Sequence, residues 1–185
     1  VSAPYGLIPI NLIGGQVFAG ATRQIPINSG SATAIYFGDV VKLGSDGTLS
    51  KDTGTDAATP VGVFMGCSYT DPTFGKVFRQ YYPASTTASD IMAYVEDDPS
   101  ALFKVAVVSS GTTVTGVQYS SIGQNSTLVN NSGSPTTGES ELAARKLAAQ
   151  FVKNFEQYAD MVSPEVLAVA PDPAGVEAPE FGAEG

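Results

Sequence analysis

The sequence predicts a mainly β protein: a small antiparallel β-barrel or sandwich with an extended N-terminal arm and a C-terminal α-helix. Short runs rich in β-branched and aromatic residues follow one another along most of the chain. The 20 Gly and 12 Pro among 185 residues favour many turns over long helices. The sequence shows no alternation of strand and helix patterns, so a doubly wound nucleotide-binding fold is not expected.

The predicted arm covers residues 1–13. The run from Leu7 to Ile13 is apolar, and Pro4 and Pro9 oppose regular pairing in a central strand. Two interpretations stay open: the arm is an edge strand that closes its own domain, or it adds to the sheet of another protein. In the second interpretation the arm supplies the contact residues, which are Tyr5, Leu7, Ile8, Ile10, Leu12 and Ile13.

Together with the arm, residues 1–131 are predicted to form one β-rich domain. Its clearest local signal is a hairpin, in which Gly44-Ser45-Asp46-Gly47 separates Val40–Leu43 from Thr48–Lys51. Glycine accepts the positive φ that such turns require, and Asp-Gly is a common hairpin pair. The other predicted strands are the runs 34–37, 61–65, 76–82, 91–95, 102–108 and, more weakly, 114–119.

The local pattern changes after residue 131. Residues 132–138 have the Ser, Gly, Pro and Thr content of a linker. An amphipathic helix is predicted over 139–163, with Ser140 as its N-cap, because apolar residues recur at helical spacing at Leu147, Phe151, Phe155, Tyr158 and Val162. This stripe either packs on its own β-domain or docks on a neighbouring subunit through Phe151, Phe155 and Tyr158. Residues 164–185 are predicted to be an acidic, Pro-rich, extended tail.

Composition argues against several kinds of chemistry and partner. The chain contains no His, which removes His-based triads, imidazole metal sites and His general bases. Its single cysteine, Cys67, cannot form an internal disulfide, fits a reducing compartment, and is predicted to be a small buried hydrophobe. A net charge of −9 with scattered cations argues against nucleic acid. The sequence has no run of 18 apolar residues and no secretory signal pattern, so no membrane partner is expected.

The densest group of acids is Glu96, Asp97 and Asp98. These carboxylates suggest an acid/base pair of a hydrolase or oxygen ligands for Ca²⁺ or Mg²⁺. An acidic turn after the strand 91–95 is the favoured interpretation, because consecutive residues of an extended chain point to opposite faces. The glycine-rich loops lack the Lys-Ser/Thr pair and the following helix of a phosphate-binding loop. We therefore expect a protein that is not an enzyme, with no catalytic residues, metal or cofactor.

The strand-and-turn section from Pro4 to about Asn131 resembles the capsid decoration, or cement, proteins of tailed phages, particularly those of marine bacteria. The residues that carry the likeness are Pro4–Leu7, Asn11–Gly15, Phe37–Leu43, Asp46–Thr48, Pro60–Cys67 and Phe78–Pro83. The resemblance implies a non-enzymatic β-rich homotrimer on the outer capsid surface of the virion, assembled in the host cytoplasm. Its implied partners are the major capsid protein and further copies of itself, and its implied role is to clamp neighbouring capsid subunits.

A second class of function stays open beside this one. A fibre or adhesin module on the virion surface would bind host glycans by stacking sugar rings on exposed aromatic side chains. The tyrosines that suggest such a face are Tyr69, Tyr81, Tyr82 and Tyr94.

Overall fold

The computed structural model describes residues 3–53, 59–117 and 119–145. All of them belong to one compact unit, Val1–Leu147. Within these described ranges, twelve strands form three sheets, and the single helical element is a 3₁₀ turn at Tyr119–Ser121. The prediction of a mainly β protein is confirmed.

The largest sheet has six strands and carries the hydrophobic core. Its strands are β2 (Arg23–Pro26), β3 (Val40–Leu43), β4 (Leu49–Lys51), β5 (Gly62–Asp71), β6 (Gly75–Arg79) and β7 (Met92–Glu96). The spatial order is β2-β7-β5-β3-β4, with β6 paired to the second half of β5, and every pairing is antiparallel. The core consists of Ile25, Ile27, Ile35, Val41, Leu49, Phe64, Cys67, Tyr69, Tyr82, Ile91, Ala93 and Val95.

The predicted hairpin at residues 40–51 is confirmed as β3 and β4. Its turn has the chemistry that the sequence indicates. A carboxylate oxygen of Asp46 accepts the backbone N–H of Thr48 at 3.1 Å, and Gly47 takes a φ of +75°. The Asp side chain therefore satisfies a backbone donor that the turn leaves free, while Gly adopts the left-handed conformation at low cost.

The remaining strands form two smaller sheets. In the first, β1 (Ile8–Leu12) pairs antiparallel with β8 (Ala101–Lys104). The second has the order β10-β9-β12-β11, built from β9 (Val107–Ser110), β10 (Thr113–Val114), β11 (Leu128–Val129) and β12 (Ala143–Arg145). The β9–β12 pair is parallel, so the sheets are not purely antiparallel as predicted. The described sheets are compatible with a sandwich and do not close, so the barrel alternative is wrong.

Several strand boundaries differ from the predicted runs. The run 34–37 makes only isolated bridges, at Ile35 and Phe37. The run 102–108 divides into β8 and β9, and of the described residues in the weak run 114–119 only Val114 lies in a strand, at the end of β10. By contrast, β5 continues to Asp71, because its second half pairs with β6 on one side.

The helix predicted over 139–163 is wrong for its described residues. Glu139 makes a parallel bridge with Phe37, and Ala143–Arg145 form β12. Pairing of β12 with β9 and β11 buries Ala143 and Ala144, and this long-range packing outweighs the helix propensity of alanine. The predicted linker, 132–138, lies inside the same compact unit. The rest of the predicted helix, from residue 146, and the tail 164–185 lie outside the described residues.

Candidate functional site

The N-terminal segment is fixed to the body of the protein before β1 begins. Pro4 and Gly6 are buried. The N–H of Gly6 donates to the carbonyl of Leu142 at 3.1 Å, and the N–H of Leu7 donates to the carbonyl of Gly38 at 3.0 Å. Gly38 has a φ of +88°, and a Cβ there would lie 2.9 Å from the backbone nitrogen of Leu7. Only glycine permits this close approach of two backbones.

A buried polar network lies beside this anchor, around the carboxylate of Asp39. Its Oδ2 lies 2.9 Å from Nζ of Lys51 and accepts the backbone N–H of Tyr36 at 2.9 Å. Its Oδ1 accepts the hydroxyl of Ser140, which in turn accepts the N–H of Leu142 at 3.0 Å. Asp39 and Ser140 are fully buried, and 7% of the Lys51 side chain is exposed. The predicted N-cap role of Ser140 is therefore wrong, because its hydroxyl joins two distant segments of β structure.

The anchored segment continues into a small ribbon of β1, β8 and the turn that follows β1. The register of β1 against β8 shifts between Pro9 and Asn11, so Ile10 is a bulge residue. The N–H of Leu12 donates to the carbonyl of Gln16, which reverses the chain. An isolated antiparallel bridge then joins Asn11 to Val17. We call this region, residues 8–17 with 100–104, the ribbon.

The ribbon exposes apolar side chains. The most exposed are Ile10 at 46%, Ile13 at 65%, Val17 at 75% and Leu102 at 42%. Of the residues predicted from the sequence as contacts, Ile10 and Ile13 are therefore accessible. The other predicted contact residues of the arm are partly buried, and they are Tyr5, Leu7, Ile8 and Leu12. Sequence reasoning missed Leu102, which the pairing of β1 with β8 brings to the ribbon, and Val17, which the turn after β1 returns to Asn11.

β1 pairs within its own chain, as the edge-strand interpretation predicts. A contact between the arm and another protein stays a prediction. Phe151, Phe155 and Tyr158, the predicted contact residues of the helix, lie outside the described residues.

A second group of exposed apolar side chains lies beside the four-stranded sheet. It is found on β10, on β11 and in the segment between them, which includes the 3₁₀ turn. Its members are Val114, Val117, Tyr119, Ile122 and Leu128, of which Tyr119 is 91% and Ile122 is 70% exposed.

The acidic cluster has structural partners. Glu96 ends β7 and is buried, and its Oε1 accepts the N–H of Asp98 at 3.2 Å. Burial raises the pKa of the Glu96 carboxyl, and its Oε2 has no hydrogen-bond partner among the described residues. Asp97 pairs with Arg23 at 2.8 Å, and Asp98 accepts the N–H of Ser100. In the described ranges no group of three or more acidic or Cys side chains is placed to hold a metal ion.

Of the four tyrosines that suggested a sugar-stacking face, Tyr69 and Tyr81 line one cleft, and Tyr82 and Tyr94 are not part of it. Tyr82 is fully buried and Tyr69 is 4% exposed, both in the core. The hydroxyl of Tyr94 donates to Ser68, so Tyr94 lies on the opposite face of the sheet from Tyr69. The ring of Tyr94 stacks on Phe78, at 6.4 Å between centroids.

Cys67 is a buried, unreactive thiol. It is 1% exposed, and burial raises its pKa to about 12. The Sγ–H donates weakly to the carbonyl of Tyr81 at 3.6 Å. The prediction of a small buried hydrophobe is confirmed.

Comparison of the chain with protein-family models, with curated proteins and with solved structures found no match. Within the described ranges, helical structure is too short to provide a membrane-crossing helix. The described residues form a mainly β protein that exposes apolar side chains on the ribbon, beside the four-stranded sheet and on the β5–β6 hairpin.

Proposed function

We propose that this protein is a non-enzymatic phage capsid decoration, or cement, protein. It binds the outer capsid surface as a homotrimer and stabilises contacts between neighbouring major capsid subunits. The observation that carries the proposal is the ribbon with its four exposed apolar side chains, Ile10, Ile13, Val17 and Leu102. The choice of the phage capsid as the particle and of the major capsid protein as the partner rests on the resemblance of Pro4–Leu7, Asn11–Gly15 and the later motifs to decoration proteins.

The ribbon has the physical character of a docking element. An isolated two-stranded sheet is marginally stable in water, and clustered apolar side chains on a surface favour contact with another protein. Complete burial of one such aliphatic side chain contributes about 1.5–3 kcal/mol. Because the four side chains are 42–75% exposed, burial of their remaining surface supplies roughly twice that amount before the cost of association is subtracted.

A protein that holds a seam closed needs contacts with more than one subunit. The second exposed region, around Tyr119 and Ile122, provides such a contact on a different sheet. Two modest contacts on one rigid molecule combine into tight retention, because the second forms at high effective concentration. Charged residues make up only 15% of the chain, so large areas can be buried without leaving ions unpaired.

The test compares two surface variants on particles that carry the protein. Ile13→Ser with Val17→Ser removes apolar surface from the ribbon, and Phe74→Ser is the matched control, since Phe74 is 75% exposed in the β5–β6 turn. We expect the ribbon variant to lose roughly tenfold or more in affinity for the capsid. The measurements are copies per particle and the temperature at which particles release their contents.

Substitution is a cleaner test than deletion of residues 1–13, because Pro4 and Gly6 are buried parts of the fold. Each variant is first checked for an unchanged melting temperature in solution. Full occupancy of the ribbon variant on the capsid contradicts the proposal, as does an equal loss in the Phe74→Ser control. Mass photometry of the free protein tests the trimer separately.

A further inference from the structure

A cleft of about 520 Å³ opens between the end of the β5–β6 hairpin and the loop 81–87. Its volume falls within the range of small-molecule sites in proteins. The residues that shape it are Tyr69, Arg79, Tyr81, Pro83, Thr86 and Thr87. None of them belongs to the ribbon, so the cleft is independent of the proposed capsid contact.

Arg79 gives the cleft its chemistry. Its guanidinium lies over the ring of Tyr69, 5.9 Å from the centroid. Its Nε is buried and has no hydrogen-bond partner among the described residues, and none of the ion pairs between those residues includes Arg79. Because this Nε is closed to solvent, a ligand in the cleft bonds to the terminal Nη atoms of the guanidinium. The planar guanidinium binds carboxylates with two parallel hydrogen bonds, so an anionic ligand fits this group.

Other residues that line the cleft offer flat, rigid surfaces. The ring of Tyr81 is stacked on Tyr36, with centroids 5.5 Å apart and planes at 13°. The loop beyond it is held in shape, since the hydroxyl of Thr86 donates to the carbonyl of Pro83 at 2.7 Å. Ser85 has a φ of +61°, an uncommon conformation for a residue other than glycine. A rigid aromatic wall beside a charged group suits a ring-shaped ligand that carries an acid.

The acid at the rim of the cleft does not neutralise Arg79. Asp71 lines the cleft, but its Oδ1 accepts the N–H groups of Thr73 and Phe74 in the β5–β6 turn. Those bonds hold the Asp71 carboxylate in the turn. The positive charge of Arg79 therefore stays available to a ligand.

We propose that this cleft binds an acidic sugar residue of the uronic or sialic acid type. The carboxylate bonds to the guanidinium of Arg79, and the sugar ring packs against Tyr81 and Pro83. Such a site lets the protein hold an acidic polysaccharide in addition to its capsid partner.

The test titrates the isotopically labelled full-length protein with single compounds, followed by NMR. The acidic probes are N-acetylneuraminic acid and glucuronic acid, the neutral probes are N-acetylglucosamine and glucose, and acetate and phosphate report on anion binding alone. We expect saturable shifts for at least one acidic sugar, confined to amides of the cleft lining, around Thr70, Asp71, Arg79, Tyr81, Thr86 and Thr87. Neutral sugars and the simple anions bind at least tenfold more weakly.

Variants assign the carboxylate contact. Arg79→Gln and Arg79→Lys are each expected to weaken the acidic sugar at least tenfold, because lysine lacks the planar pair of donors. Lys42→Gln is the control: it removes one positive charge from β3, away from the cleft lining, and should leave affinity unchanged.

Four outcomes with the unsubstituted protein overturn the proposal. They are the absence of saturable binding, shifts outside the cleft, equal affinity for neutral sugars, and equal affinity for acetate or phosphate, which marks an anion site only. Retained binding by a folded Arg79→Gln variant overturns it as well. The shift map of the unsubstituted protein remains decisive if the Arg79 variants fail to fold.

Discussion

The buried ion pair between Lys51 and Asp39 yields the most demanding prediction. Lys51→Met removes the cation, keeps a similar volume, and leaves the carboxylate of Asp39 buried with two neutral donors, from Ser140 and Tyr36. A buried carboxylate that loses its cation retains its desolvation cost and loses the attraction that offset it.

The size of the effect follows from the geometry. At 2.9 Å and an effective dielectric constant of about 20, the attraction between the two charges is about 6 kcal/mol. Desolvation of both groups offsets much of this, so loss of one partner is expected to cost about 3–5 kcal/mol of unfolding free energy. For a domain of this size that corresponds to a fall in melting temperature of roughly 10–15 °C.

Urea unfolding of four proteins checks this reasoning: the unsubstituted chain, Lys51→Met, Asp39→Asn, and the two substitutions combined. We expect the combined variant to lose less unfolding free energy than the two single variants added together, by at least about 1 kcal/mol, since it leaves no unpaired charge. The exposed pair of Lys76 and Asp90, at 2.8 Å, is the control and should show a far smaller coupling. Additive losses at Lys51 and Asp39 would refute the argument, as would single losses no larger than at the exposed pair.

Three further predictions concern single positions. Gly38→Ala is expected to destabilise the fold by about 2 kcal/mol or more, since it adds a clash with Leu7 to the cost of a positive φ. The control is Gly47→Ala, which meets open space at a φ of +75° and is expected to cost only about 1–2 kcal/mol. Thermal or urea unfolding measures both losses. The Cys67 thiol, with a pKa of about 12, is expected to resist a thiol reagent at pH 8 in the folded protein and to react fully in urea. Rapid labelling of the folded protein would contradict the burial of this thiol. The raised pKa of Glu96 means that the folded state holds this proton more tightly than the unfolded state, so the stabilising contribution of Glu96 is present at low pH and is lost as the pH rises through the folded pKa. Glu96→Gln is therefore expected to raise the melting temperature at pH 7 and to change it little at pH 4. An equal gain at both pH values would show that burial of the charge is not the cause.

Local signals in the sequence predicted the parts of the fold that depend on neighbouring residues. The turn at Asp46 and Gly47 contains all the chemistry of the β3–β4 hairpin within four residues, and the sequence identified it correctly. The same kind of reasoning failed at Ala143–Arg145, where residues with good helix propensity form a strand. Their partners in β9 lie more than thirty residues earlier in the chain, and no local pattern carries that information.

The candidate site was predictable to a similar extent. The apolar character of Ile10 and Ile13 is visible in the sequence, and both are exposed. The pairing of β1 with β8, which brings Leu102 beside them, depends on contacts across some ninety residues, whereas Val17 joins through a local bridge to Asn11. The bond between Ser140 and Asp39 joins positions 101 residues apart, so Ser140 reads as an ordinary N-cap until the fold is known.

The position of the buried network relative to the ribbon bears on how the proposed function would work. The last bond of the anchor, from the N–H of Leu7 to the carbonyl of Gly38, comes immediately before β1 starts at Ile8. The next residue after Gly38 is Asp39, whose carboxylate is tied to β4 through Lys51 and to the 139–145 segment through Ser140. Force on the ribbon is therefore transmitted through Gly38 and Asp39 to the six-stranded and four-stranded sheets, without a flexible loop between the ribbon and those sheets. The proposed cement function needs such a stiff link, because a contact that extends under load before it resists does not strengthen the junction between capsid subunits.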